Sequence, residues 1–359
     1  MKLLDWYLIR QYLAAFFFMI VVVLTLALVV DYVEKVDDFI EKKPPLEDII
    51  FVYYANFLPY WGNLLMPVCI FLAVIFFTGR LAGRSELIPI LAGGVSFYRI
   101  LVPYIAVSLL LALASGYLKS YLVPKSTAAR LEFEYLYFKK RRISSTKDIH
   151  KKVATDTYLY IGYYNEKQQE GTNITLEKVI NGDLVYKLSA KRMDWVDSLQ
   201  HWRLRQCQER TFAPASHVES IRFRDKVDTT FLLAPDDIYI KEQKAESMTL
   251  PELLAYIRLE EMRGSDILKE LYIERHRRFS DPIAIVILTL IGFAMASRKR
   301  RGGVALYIGL GLLLCFLYIA LLFAGQALIG DTFPAGLAVW MPNLIFLPIS
   351  IFLLWRAPK

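Results

Sequence analysis

The side chains best suited to chemistry are few and scattered in this chain of 359 residues. Its four histidines, at positions 150, 201, 217 and 276, are too far apart for a helical zinc motif. Cys69 and Cys315 fall inside apolar runs and Cys207 in a polar stretch, so neither a CxxC metal clip nor a disulfide framework is available. His276 with Ser280 and Asp281 comes nearest to a catalytic group, and its place beside an apolar run reads instead as a helix end at a membrane edge. No GxSxG elbow, HExxH pair or GxxxxGK[ST] cradle occurs. Gly93-Gly94 and Gly302-Gly303 lack the lysine and hydroxyl that a phosphate cradle needs. The chain is therefore not expected to hydrolyse nucleotide or to carry a metal or cofactor of its own.

What remains is charge set at the edges of apolar runs. The stretch Gly79–Gly94 carries Arg80, Arg84 and one acid, Glu86, beside Leu87, Ile88, Ile90 and Leu91. That mix suits a short amphipathic helix lying at a membrane surface and offering charge to a soluble partner. Pro89 within it is expected to delay or break the helix. The net charge is +8, and the densest basic cluster, Arg298-Lys299-Arg300-Arg301, lies between two apolar runs, which marks a membrane topology signal before a nucleic-acid binding patch.

The elements that must position these charges follow from hydropathy. At 55% hydrophobic residues the chain is richer in apolar residues than water-soluble domains. Six apolar runs, within Tyr7–Val30, Phe51–Thr78, Phe97–Val123, Pro282–Ala296, Val304–Leu328 and Leu337–Trp355, read as membrane spans. The acidic stretch Asp31–Asp48, with Pro44-Pro45, reads as a short exposed loop. Between the third and fourth spans, residues 153–233 alternate apolar and polar residues with Gly, Asn and Asp turns, which predicts an antiparallel sandwich, jelly roll or barrel. Ser247 and Pro251 mark a helix start, and a second amphipathic helix is expected over Ile267–Phe279. An even number of spans places both termini on one side. Arg80, Arg84, Arg99 and the 298–301 cluster make that side cytoplasmic, so the β domain lies outside it, in the periplasm of a bacterium with two membranes.

This layout resembles the lipopolysaccharide export permeases LptF and LptG over the whole chain. The resemblance rests on Gly79-Arg80-Leu81 with Arg84-Ser85-Glu86-Leu87 after the second span, and on the β domain between spans three and four. It rests also on Glu274-Arg275-His276-Arg277-Arg278-Phe279 to Pro282, on Arg301-Gly302-Gly303, and on Trp340-Met341-Pro342-Asn343-Leu344. The tail after the sixth span leans slightly toward LptG. The implied organisation is spans one to three in residues 1–124, with a coupling helix at 79–94; a periplasmic β-jellyroll domain in 125–250; and linker helices with spans four to six in 251–359.

The resemblance implies a permease subunit of an ABC transporter in the inner membrane. Its implied partners are a homologous permease half, a cytoplasmic ABC ATPase dimer, periplasmic jelly-roll bridge proteins, membrane lipids and lipopolysaccharide itself. Arg80, Arg84, Glu86 and Leu87 are then the ATPase-coupling residues, with Glu86 pairing to a basic residue of the ATPase. The family's first and fifth spans supply an apolar face for the lipid, and its cations sit at the outer end of the first span. Here that end reads Asp31-Tyr32-Val33-Glu34-Lys35-Val36-Asp37-Asp38, so the candidate cations are Lys35, Lys42, Lys43, Arg277 and Arg278. Tyr158, Tyr160, Tyr163, Trp195 and Trp202 are candidates either for a lipid groove or for the β-domain core. The rival reading is a non-transporting membrane scaffold that anchors the β domain in an envelope assembly.

Overall fold

The computed structural model describes residues 3–84, 86–138, 145–154, 156–165, 168–180, 182–197, 201–213, 218–229, 235–238, 244–263, 267–297, 303–327 and 334–356. The chain divides into two compact units. The first comprises Met1–Phe138, Glu246–Leu250 and Tyr272–Lys359, the second Lys139–Ala245 and Pro251–Leu271.

In the first unit, α1 spans Leu3–Lys42, α2 Ala55–Gly83, α3 Leu87–Ala92, α4 Phe97–Tyr117 and α5 Val123–Tyr137. The stretch expected to be a loop after the first span is instead a continuation of α1. Its charges are spaced to bond along the helix, with Lys35 Nζ 3.0 Å from Asp31 Oδ1, and Phe39 is buried against Tyr53 and Phe133. Pro44 and Pro45 then stop it. The third span likewise runs past Pro124. A π-helical turn over Leu118–Leu122 leads into α5, where the proline sits in the first turn and its missing N–H is tolerated. A second π-helical turn, Asp48–Tyr54, precedes α2.

The second unit holds β1 Ser145–Ala154, β2 Thr157–Asn165, β3 Glu170–Ile180, β4 Asp183–Val196, β5 His201–Ala213 and β6 Val218–Thr229. The short helices α6 Pro235–Ile238 and α7 Lys244–Ser247 follow, and then α8 Leu250–Arg263. Helix α9, Leu268–Ala296, joins the expected amphipathic helix and the fourth span into one element with Pro282 inside it. α10 Gly303–Ala327 and α11 Ala335–Trp355 complete the first unit. The basic cluster 298–301 and Gly302 lie outside the described residues, as do Gly264-Ser265 and Asn181.

Among the described residues five helical stretches are long and apolar enough to cross a membrane: Leu3–Lys42, Asp48–Gly83, Phe97–Tyr137, Leu268–Ala296 and Ala335–Trp355. α10 adds a sixth apolar helix of 25 residues. The chain is a multi-pass membrane protein with an inserted β domain. The apolar window of α1 is only 6% buried, against 61% for the second stretch, so α1 lies at the rim of its unit. Phe17, Phe18, Val21 and Leu26 on α1, and Leu313, Phe316 and Phe323 on α10, are exposed apolar side chains. Gly325 brings α10 against α11: a Cβ there would stand 2.5 Å from the Ala338 carbonyl oxygen.

The sheet is an antiparallel meander in the order β1-β2-β3-β4-β5-β6. Ile149, Ile161, Ile174, Ala190 and Cys207 align across the strands in one buried row. A strand returns to the same face every second residue, yet the next buried positions are Tyr164, Gly171, Met193 and Leu204, three residues away on their strands. The extra row contains Asp148 (φ 55°), Asn173 (φ 55°) and Gln206 (φ 53°), all in the left-handed region. One added residue per strand along this line bends the sheet while keeping its core on one face. Gly162 belongs to the same row, and a Cβ there would be 3.0 Å from that of Asn173.

Candidate coupling and lipid-contact sites

The charged segment Gly79–Gly94 is not one short helix: its first residues through Gly83 finish α2, and the separate helix is α3 alone. Helix α3 runs straight through Pro89, because the proline falls in its first turn, where an N–H has no intrahelical partner. Arg80 lies in the last turn of α2 and Arg84 caps its end, both exposed. Glu86 stands immediately before α3, its carboxylate 3.8 Å from the Arg84 guanidinium and 3.3 Å from the Tyr7 hydroxyl of α1. The Glu86 side chain remains 38% exposed and that of Arg84 58%, so the charges are available to a second molecule. Leu87 is different: it is buried in the same apolar cluster as Leu8, Phe77, Leu81 and Phe97, with Ile90 and Leu91 packed on the cluster. The charged end of the segment is thus anchored to the spans through tightly packed apolar side chains. Arg99, bonded at 2.7 Å to Asp5 near the start of α1, ties α4 to α1.

The candidate lipid cations separate into distinct environments. Lys43, at φ 48°, is exposed beyond the last turn of α1, and Lys42 pairs with its neighbour Glu41. Lys35 is drawn inward by Asp31, Glu134 at 3.5 Å and the Tyr53 hydroxyl, and it lies over the Tyr53 ring at 4.5 Å. Arg277 is among the residues lining a small recess with Tyr60, Asn63, Lys119, Glu246 and Glu274. Arg278 is fully enclosed: its guanidinium donates to Glu274 at 3.1 Å and to the Met248 carbonyl at 2.6 Å. Its placement makes it an internal tie rather than a surface cation.

Several polar groups lie among the spans, and of these the pairing of Lys119 was not foreseen in the sequence. Lys119 pairs with Asp281, joining the π-helical turn Leu118–Leu122 to α9. The signal was present in the sequence, since a lysine inside an apolar run needs a counter-charge. Asn343, in the closing Trp340–Leu344 motif, donates to the Ser280 carbonyl at 2.9 Å and accepts from the Tyr318 hydroxyl at 3.1 Å. It thereby joins α9, α10 and α11. Asn63 accepts from Ser115 at 2.8 Å. The three residues of the nearest catalytic grouping are engaged elsewhere: His276 lies 3.5 Å from the Arg275 guanidinium, Ser280 donates to the Val339 carbonyl at 3.3 Å, and Asp281 pairs with Lys119. Among the described residues no group of histidine, cysteine and acidic side chains is arranged to hold a metal.

In the β unit the five aromatic candidates divide, Tyr163 being half-buried. Trp202 is fully buried in the core, with Trp195 4.9 Å away. Tyr158 is 47% exposed, and Tyr160 donates to Asp148 at 2.7 Å on the opposite face of the sheet from the core.

Compared with known families, residues 6–356 match the model described as lipopolysaccharide export system permease LptF/LptG. A search of curated protein sequences returns no match.

Proposed function

Since the chain belongs to the LptF/LptG family of lipopolysaccharide export permeases, we propose that it is one permease half of an ABC transporter that extracts lipopolysaccharide from the inner membrane. A second, homologous half completes the membrane portion, and a separate cytoplasmic ATPase dimer supplies the work. Both termini face the cytoplasm and the β unit faces the periplasm, where its antiparallel meander hands the lipid to jelly-roll bridge proteins. The observation that carries the coupling role is the pairing of exposed Arg80, Arg84 and Glu86 with buried Leu87. A docked ATPase would take Glu86 from two weak internal partners and, on closing, move the core that Leu87 shares with α1, α2 and α4.

The exposed apolar faces of α1 and α10 fit the lipid-bearing surfaces of such a half. Lys42 and Lys43 are the cations most open to phosphate, with Lys35 and Arg277 available if their internal partners yield. Affinity purification of the chain in detergent tests the coupling role. An ATP-hydrolysing partner identified by mass spectrometry should be retained by the native chain and lost in Glu86→Arg. Retention unchanged by that reversal would remove Glu86 from the interface, and absence of any ATPase would favour the scaffold reading.

A further inference from the structure

We infer that the polar face of the sheet carries a second substrate contact: a groove for the phosphorylated saccharide head of lipopolysaccharide. The inference rests on the export reading for the identity of its ligand. The register sets His150, Tyr160, Thr175, Ser189, Gln208 and Phe223 side by side across all six strands. This row lies one residue from the buried row of Ile149, Ile161 and Ile174, and so on the other face. Two depressions, of about 630 and 390 Å³, run along it and share Tyr160 and Thr175, forming one continuous groove.

The chemistry of the lining is that of a charged sugar site. Ser189, Asn173, Gln206 and Gln208 offer hydroxyl and amide groups of both donor and acceptor kind. The rings of Tyr158 and Phe223, 47% and 77% exposed, present apolar faces to a sugar ring. Lys152 and Lys187 stand at one end of the groove and Lys191 at the other. Lys187 is paired with Glu177 at 2.7 Å. Lys152 is held only over the Tyr158 ring, and neither it nor Lys191 has a carboxylate partner among the described residues. Asp225 and Glu177 are the acids of the lining, and Asp148 is engaged by Tyr160. Four residues of extended strand separate Lys187 from Lys191, about 13 Å at roughly 3.3 Å per residue. That span suits two phosphates at opposite ends of a disaccharide. The bend through Asn173 and Gln206 gives the groove its depth.

The test uses the full chain in detergent and a soluble probe, a glucosamine disaccharide bearing two phosphates and no acyl chains, titrated calorimetrically. The native chain should bind it, with affinity falling as salt is raised. The double variant Lys152→Gln, Lys191→Gln should bind at least tenfold more weakly with an unchanged melting temperature, and Tyr158→Ala should weaken binding while leaving the salt dependence intact. The dephosphorylated disaccharide should not bind. No binding by the native chain, or binding unaltered by the lysine variants, overturns the groove. ATP-driven release of intact lipopolysaccharide, measured on the same preparation, separates the two claims: release without probe binding sinks the groove and keeps the export reading. Lysine-dependent binding without release does the reverse.

Discussion

Arg278 and Glu274 form a buried pair whose removal has a calculable consequence. The Arg278 side chain is 0% exposed and that of Glu274 9%, and their bond of 3.1 Å is supplemented by the Met248 carbonyl at 2.6 Å. Glu274→Gln keeps the shape and removes the counter-charge. Breaking one partner of a buried pair costs about 3–5 kcal/mol. The Met248 carbonyl still accepts from the guanidinium, which points to the lower end, about 3 kcal/mol. At roughly 2 °C per kcal/mol for a chain of this size, the melting temperature should fall by about 6 °C. The double variant Glu274→Leu, Arg278→Met replaces both charges by apolar side chains and should recover most of that loss, since such replacements are often neutral. Thermal unfolding of the native chain, Glu274→Gln, Glu274→Leu, Arg278→Met and the double variant, in one detergent, measures both the drop and the coupling. A drop below about 2 °C for Glu274→Gln, or a double variant as unstable as the sum of the singles, would refute the buried tie.

Two further outcomes concern the sheet. Gly162→Val places carbon against Asn173, whose Cβ and carbonyl oxygen would lie 3.0 and 3.4 Å from the new Cβ. Overpacking of this kind costs about 1–3 kcal/mol, so the near-ultraviolet signal of Trp202 should melt earlier, and a fully tolerated valine would deny the tight bend. At the β5–β6 pair, the hydrogen bond from Arg203 to Asp228, 2.8 Å, holds that carboxyl below its ordinary value of 3.8, and Arg210 does the same for Glu219. Lowered folded-state values mean that this support is present above the ordinary carboxylate range and is lost as pH falls through the folded value. Amide protection factors in β6, corrected for the intrinsic pH dependence of exchange, should therefore fall below about pH 4. Arg203→Ala should weaken that dependence, and equal protection at pH 7 and pH 3 would contradict it.

The spans were readable because a hydrocarbon core demands a long apolar run. Their ends were not, because helices continue wherever side chains can be satisfied. α1 outlives its apolar part through Asp31, Lys35 and Phe39, and α9 absorbs an amphipathic segment without a break at Pro282. Alternation revealed β2 to β6, but β1 escaped, since Lys147, His150, Lys151 and Lys152 hide its period. The transverse bend was invisible for a related reason: its left-handed positions are Asp, Asn and Gln rather than glycine. The coupling segment was legible as charge beside leucine, whereas Tyr7 as a partner of Glu86, 79 residues earlier, follows only from the packing of α1 against α2.

The most direct test of the account is lipopolysaccharide release from proteoliposomes that contain the chain, its homologous permease half and the ATPase dimer, with a soluble periplasmic acceptor outside. Release should require ATP, should stop when the ATPase is omitted, and should fall sharply in Glu86→Arg while the β unit keeps its fold. Release that proceeds without the ATPase, or a complete complex that hydrolyses ATP and leaves every lipopolysaccharide in the bilayer, would contradict it.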